Sequence, residues 1–155
     1  MSIYGKPFLL SSNTGRRCKI SPSKVSSMTE TRKIIMVDDE PDINLTIKKA
    51  LEENGFFQVD TFNDADSALV TFKPEVYDLA LLDIRMPGTS GFQLWRKLRE
   101  MDKKLKICFL TATKSNYSGD IDSDVINDIG TDCFLAKPVN TIDLMNRLNV
   151  LLSQE

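Results

Sequence analysis

The sequence predicts an open α/β fold, a doubly wound five-stranded parallel sheet with helices on both faces. Two observations predict it. Short apolar runs alternate five times with segments of helical period. Four of those runs stop abruptly at side chains able to do chemistry: Asp38-Asp39, Asp83, Thr111 and Lys137. Parallel strands joined by right-handed crossovers bring all their C-terminal ends to one edge, where ligands bind.

The first run, Ile34-Ile35-Met36-Val37, is continuous, as in a strand buried on both faces, and stops at Asp38-Asp39-Glu40-Pro41. A helix follows with Ile43, Ile47, Ala50 and Leu51 on one side, closed by Asn54-Gly55. Residues 57–61 alternate as a weaker second strand. Asp64 caps a helix carrying Ala65, Ala68, Leu69 and Phe72, which Pro74 ends. Leu79-Ala80-Leu81-Leu82 is the third strand, stopping at Asp83. Met86-Pro87-Gly88 turns the chain, and Ser90 starts a helix with Leu94, Trp95, Leu98 and Met101 inward. Residues 107–110 form the fourth strand, ending at Thr111. Residues 116–129 read as a poorer helix with a narrow stripe (Ile121, Val125, Ile129) and an acidic outer face (Asp120, Asp122, Asp124, Asp128). Residues 133–136 form the last strand, ending at Lys137-Pro138. Asn140, with Asp143 three residues on, starts a final helix carrying Ile142, Met145, Leu148 and Leu152.

Composition narrows the chemistry. A chain of 155 residues, 41% hydrophobic and 27% charged, suits one soluble domain, and no apolar run approaches a membrane span. There is no histidine, which excludes Ser-His-Asp and Cys-His machinery, histidine zinc ligands and a phosphohistidine on this chain. Three cysteines without a CxxC pair argue against a disulfide framework or zinc site and for a reducing, cytoplasmic setting. Residues 1–33 carry seven basic side chains against Glu30, a net +6, and the remainder carries a net −8. Residues 1–31, Ser-rich and aperiodic, read as a disordered basic tail, and 32–155 as the domain. A start at Met28 would also yield a complete domain. A targeting peptide is a third reading, without a clear amphipathic helix to support it.

Each strand-end residue has a bland reading alone: a helix cap for Asp38 or Asp39, a turn for Thr111, a solvated charge for Lys137. Asp83 resists this, because an acid closing an apolar strand is costly unless exposed or paired. Together the residues point to a phosphoryl-acceptor site. Crowded carboxylates repel one another, and a hard divalent cation relieves this. Oxygen donors without His or Cys suit Mg2+. A carboxylate then serves as nucleophile toward phosphorus, with Lys137 neutralising phosphate oxygens and Thr111 donating a hydrogen bond.

Residues 33–153 resemble the response-regulator receiver domain of two-component signalling. The segments KIIMVDDEPD, DLALLDIRMPGTSGFQL, ICFLTAT and FLAKPV match its motifs in order and at similar spacing. The resemblance implies a flavodoxin-like sheet of strand order 2-1-3-4-5. It implies that Asp83 is the phosphorylated aspartate and that Asp38, Asp39 and Asp83 surround Mg2+. Asp39 is then a more direct ligand than Asp38, and the Arg85 backbone carbonyl is a further one. Thr111 resembles the switch hydroxyl, Lys137 the phosphate-binding lysine and Phe134 the switch aromatic. The Lys137-Pro138 bond is expected to be cis. Arg85 and Thr113 stand where receivers tune the lifetime of the phosphoryl group.

The implied function is that of a phosphoacceptor, not an enzyme with an external substrate. A histidine kinase or histidine phosphotransfer protein donates to Asp83, Thr111 moves toward the new group, and Phe134 turns inward. The surface of the fourth helix, fifth strand and fifth helix then changes. The chain stops after its last helix, without a helix-turn-helix. The expected partners are therefore proteins: the phosphodonor, a downstream protein target and a second copy through that same surface. No DNA-binding domain and no membrane span are expected. Two other readings compete. A haloacid-dehalogenase-like phosphatase would use Asp38 as nucleophile, but the acid-x-Asp pair and the late acidic pair it needs are missing. A receiver-like scaffold would bind without being phosphorylated, and an intact Asp83, Thr111 and Lys137 argue against it.

Overall fold

The computed structural model describes residues 30–112, 123–129 and 133–154. The reading of a disordered tail over 1–31 falls almost wholly outside the described residues, as do Thr113, Asp120, Ile121 and Asp122. The compact unit runs Thr31–Glu155. In chain order it contains β1 (Arg32–Val37), α1 (Pro41–Glu52), β2 (Phe57–Phe62), α2 (Ala65–Thr71) and β3 (Leu79–Asp83). It continues with α3 (Gly91–Met101), β4 (Lys106–Thr111), α4 (Ser123–Ile129), β5 (Phe134–Ala136) and α5 (Thr141–Ser153). The five strands form one sheet in the order β2-β1-β3-β4-β5, and each neighbouring pair is parallel. The predicted fold class and strand order are those observed.

The pleat divides the core in two. Successive strand residues point to opposite faces. Ile35, Val37, Ala80, Leu82, Ile107 and Phe109 pack with apolar residues of α2 and α3 and with Val125 of α4. Ile34, Met36, Leu79, Leu81, Cys108 and Leu110 pack with Ile47 and Leu51 of α1 and Leu144, Leu148 and Leu151 of α5. Continuous apolar runs in β1, β3 and β4 are thus explained by burial on both sides.

Local chemistry starts the helices where expected. Asp64 Oδ1 accepts from Ser67 N at 2.7 Å. Ser90 and Gln93 form a reciprocal capping box at α3. Asn140 Oδ1 accepts from Ile142 N at 2.8 Å and Asp143 N at 3.2 Å. The helix α1 begins at Pro41, and its flanking residue Glu40 makes no side-chain cap. Neither Asp38 nor Asp39 is the residue that flanks its first turn.

Three expectations about packing are corrected. Met101 ends α3 with 43% of its surface exposed, and Leu105 beyond the helix fills the core instead. Ile142 is exposed, because the α5 stripe that meets the sheet is Leu144, Leu148 and Leu151. The last strand starts at Phe134, with Cys133 just before it. In α4, Val125 is buried and Asp124 and Asp128 face out, as the stripe predicted.

Candidate functional site

The C-terminal ends of β1, β3, β4 and β5 build one edge. Asp38 stays in the sheet through its amide, which donates to Phe62 O at 3.1 Å. Its side chain is fully buried, and Oδ1 accepts from Glu40 N at 2.9 Å, which folds the turn into α1. Asp83 is the last residue of β3 and only 5% exposed. Beyond it, Ile84 N donates to Leu110 O at 3.0 Å, so β3 and β4 remain paired past the acid. Lys137 N donates to Thr111 O at 2.7 Å, tying the end of β5 to the end of β4. The peptide bond from Lys137 to Pro138 is cis.

These constraints bring separated residues together. The Lys137 ammonium lies 2.7 Å from Asp38 Oδ2, 3.2 Å from Glu40 Oε1 and 3.4 Å from Asp83 Oδ1. Asp38, Asp39 and Asp83 each offer a carboxylate oxygen, all within 4.8 Å of one another. Asp38, Glu40 and Asp83 thus share one ammonium. Burial first, and then the charge of Asp38, pushes the Asp83 carboxyl up to about 6, against the pull of Lys137. Burial opposes the charge on Lys137, but contacts with Asp38, Asp83 and Glu40 outweigh it and raise its pKa. The site has excess negative charge, oxygen donors only and little solvent, a donor set that fits a hard divalent ion. Both oxygens of Asp38 are already engaged, by Lys137 and by Glu40 N. Asp39 and Asp83 are the carboxylates better placed to hold an ion directly.

The other predicted residues sit around this centre. Thr111 closes β4 one residue after Leu110, the register partner of Asp83. Arg85 follows Asp83 by two residues on an exposed loop. Phe134 is 8% exposed, with its ring stacked 5.4 Å from Phe109 and tilted 6.5 Å from Phe92. The ring lies inside in this structure, packed against β4 and α3.

Sequence reasoning missed three residues. Glu40 was read only as part of a turn, yet it reaches Lys137. Asn44 is buried beneath the acidic turn. Gly91 opens α3, and a Cβ there would sit 2.2 Å from the Asp83 carbonyl oxygen. A glycine opening a helix, where its propensity is poor, was the available signal for the last.

Comparison with known proteins agrees with this geometry. The family model described as "Response regulator receiver domain" matches residues 34–149. The transcriptional regulatory protein DltR of Streptococcus agalactiae is 32% identical over 124 residues, 79% of this chain and 52% of DltR. The phosphate regulon transcriptional regulatory protein PhoB of Rhizobium meliloti is 33% identical over 124 residues, covering 77% of this chain and 52% of PhoB. Among solved structures, TrrA of Thermotoga maritima, in complex with Mg2+ and BeF, is 33% identical. Its TM-score is 0.63, covering 78% of this chain and 99% of that one. The non-phosphorylated HemR receiver domain of Leptospira biflexa superposes with a TM-score of 0.69 at 26% identity, over 81% of this chain and 97% of that one.

This chain spans about half the length of the curated relatives it matches. Those relatives are transcription regulators, so the expectation of partners confined to proteins, with no DNA-binding output, is withdrawn. The end of this sequence carries no information about output. Among the described residues, no helix is long and apolar enough to cross a membrane. Motif order, strand order, the acidic edge and the family match agree, and the chain belongs to the response-regulator receiver family.

Proposed function

We propose that Asp83 accepts a phosphoryl group from a phosphohistidine on a histidine kinase. The observation that carries this reading is the cluster itself, three carboxylates within 4.8 Å with Lys137 reaching two of them. An Asp83 oxygen attacks phosphorus, the P–N bond breaks, and its electron pair leaves with the donor imidazole. Lys137, 3.4 Å from Asp83, is placed to meet the phosphoryl oxygens and to keep its pair with Asp38. Asp39 and Asp83, with the Arg85 carbonyl, would hold Mg2+, which supplies positive charge to offset the transferring oxygens. The Mg2+ complex of the similar TrrA supports that assignment.

The new group adds roughly −1.5 to −2 of charge beside Asp38. Thr111 donates to it, and because the Thr111 carbonyl binds Lys137 N, movement there is felt at β5. Phe134, packed on Phe109 beside Thr111, passes the change to the surface of α4, β5 and α5. The protein acts as a phosphoacceptor, not as a turnover enzyme. A cytoplasmic setting suits Cys108, which is buried and forms no disulfide. Asp83 is favoured over Asp38 as nucleophile, because Asp38 is fully buried and both its oxygens are engaged.

The test is incubation with acetyl phosphate and Mg2+ followed by a phosphate-affinity gel. A shifted band that is absent in Asp83→Asn is expected. A shift that survives Asp83→Asn but disappears in Asp38→Asn would overturn the assignment.

A further inference from the structure

We infer that Asn44 is a positioning residue for the metal-holding turn, an inference that rests on the proposed Mg2+ site. Where β1 and β2 end together, three oxygens converge, and among the described residues only one of them, the Phe62 carbonyl, also accepts from a sheet amide, that of Asp38. They are the Asp38 carbonyl, the Phe62 carbonyl and Asn63 Oδ1. The Asn44 side-chain nitrogen lies 2.7, 3.0 and 2.8 Å from these atoms. Asn44 is 3% exposed and projects from the first turns of α1. A carboxamide nitrogen has two hydrogens, so three acceptors share them. Among the described residues no donor meets its Oδ1. That buried acceptor is a desolvation cost borne to keep the nitrogen among the three oxygens.

The consequence lies one residue further on. The Asp38 carbonyl belongs to the peptide unit that carries Asp39. Asn44 holds that unit from the helix side, and Asp38 Oδ1 holds Glu40 N from the strand side. The residue between these two ties is Asp39, whose carboxylate completes the acidic cluster. Its backbone direction is therefore set before any ion arrives. Leucine or alanine at position 44 would leave three oxygens without this donor and release the turn. Loss of an outer partner that orients a ligand commonly lowers metal affinity by about 10–100-fold.

The experiment titrates the full chain, freed of metal, with MgCl2 by calorimetry, beside urea melts and amide exchange of the metal-free proteins. Asn44→Ala is compared with Ile47→Ala, a buried truncation one turn along the same helix, in the apolar cluster that α1 shares with β1, β3 and α5. The expected result is an affinity about tenfold weaker for Asn44→Ala, with faster exchange of the Asp39 and Glu40 amides, while Ile47→Ala loses stability but binds like wild type. Equal affinity for Asn44→Ala and wild type would overturn the inference. So would an equal loss in Ile47→Ala, which would make general stability the cause. If Asn44→Ala does not fold, Asn44→Leu removes the donor while keeping most of the buried volume, and unchanged affinity there would overturn it equally. Wild type that binds no Mg2+ in the millimolar range removes the metal site itself, a failure distinct from the others.

Discussion

Two aspartates, Asp83 and Asp102, are almost equally hidden, at 5% and 6% exposure, yet their surroundings are opposite. Asp102 lies just past α3, near the edge where the strands begin. Its two oxygens accept from Glu75 N at 2.8 Å and Lys104 N at 2.9 Å. Neutral backbone donors hold it, and it in turn pins Glu75, whose φ of 64° lies in the left-handed region. Asp83 lies at the opposite edge. It faces the carboxylates of Asp38 and Asp39, with the Lys137 ammonium at 3.4 Å. Burial and like charge raise its pKa to about 6. Burial alone therefore does not mark a reactive acid. The marker is burial among like charges whose opposite charge is shared.

The largest expected effect separates these two edges by chemistry. Asp83→Asn should abolish phosphoryl uptake from acetyl phosphate, and Asp102→Asn should keep it, as read by labelled-phosphate incorporation. Equal loss in both would break the contrast.

Next in size is the backbone beneath Asp83. Gly91→Ala forces a methyl against the Asp83 carbonyl, and the start of α3 must move away from β3. A loss of about 1–3 kcal/mol is expected by urea denaturation, with slower phosphoryl uptake. A variant as stable as wild type would show that this contact yields easily.

The pH dependence is then specific in sign. The folded-state pKa of Asp83, about 6, lies above its ordinary value near 3.8. Between these values the folded state binds more protons than the unfolded chain. Metal-free protein should therefore lose stability as pH rises from about 4 to about 6, by about 2 kcal/mol from this group. Asp83→Asn should remove that loss, and Mg2+ should reduce it in the wild type. Thermal melts in chelator across this range decide the matter, and identical profiles for the two proteins would contradict the account.

The smallest effect concerns the quiet aspartate. Asp102→Asn replaces one charged acceptor facing a backbone amide and should cost about 1 kcal/mol. It should leave Mg2+ affinity unchanged, as calorimetry would show.

The same contrast explains what could be read in advance. Asp38, Asp39, Asp83, Thr111 and Lys137 were legible because each terminates an apolar strand, and parallel topology places strand ends together. Asn44 was not, since its position in the 3.6-residue pattern of α1 says only that it faces inward. Gly91 was hidden behind the cap residue Ser90, which accounted for the helix start without it. Phe134 was legible as a strand residue, but its rotamer depends on Phe92 and Phe109, which approach from another helix and strand.

By itself the sequence determined the fold class, the order of elements and the chemical inventory of one edge. Apolar period and strand-ending polar residues are local properties that survive without neighbours. Only the tertiary structure decided that Lys137 pairs most closely with Asp38, that Glu40 joins it, and that an α1 carboxamide holds the acidic turn. Those outcomes depend on distances across strands far apart in the chain. Charge interactions and hydrogen bonds fall steeply with such distances, so no one-dimensional pattern encodes them.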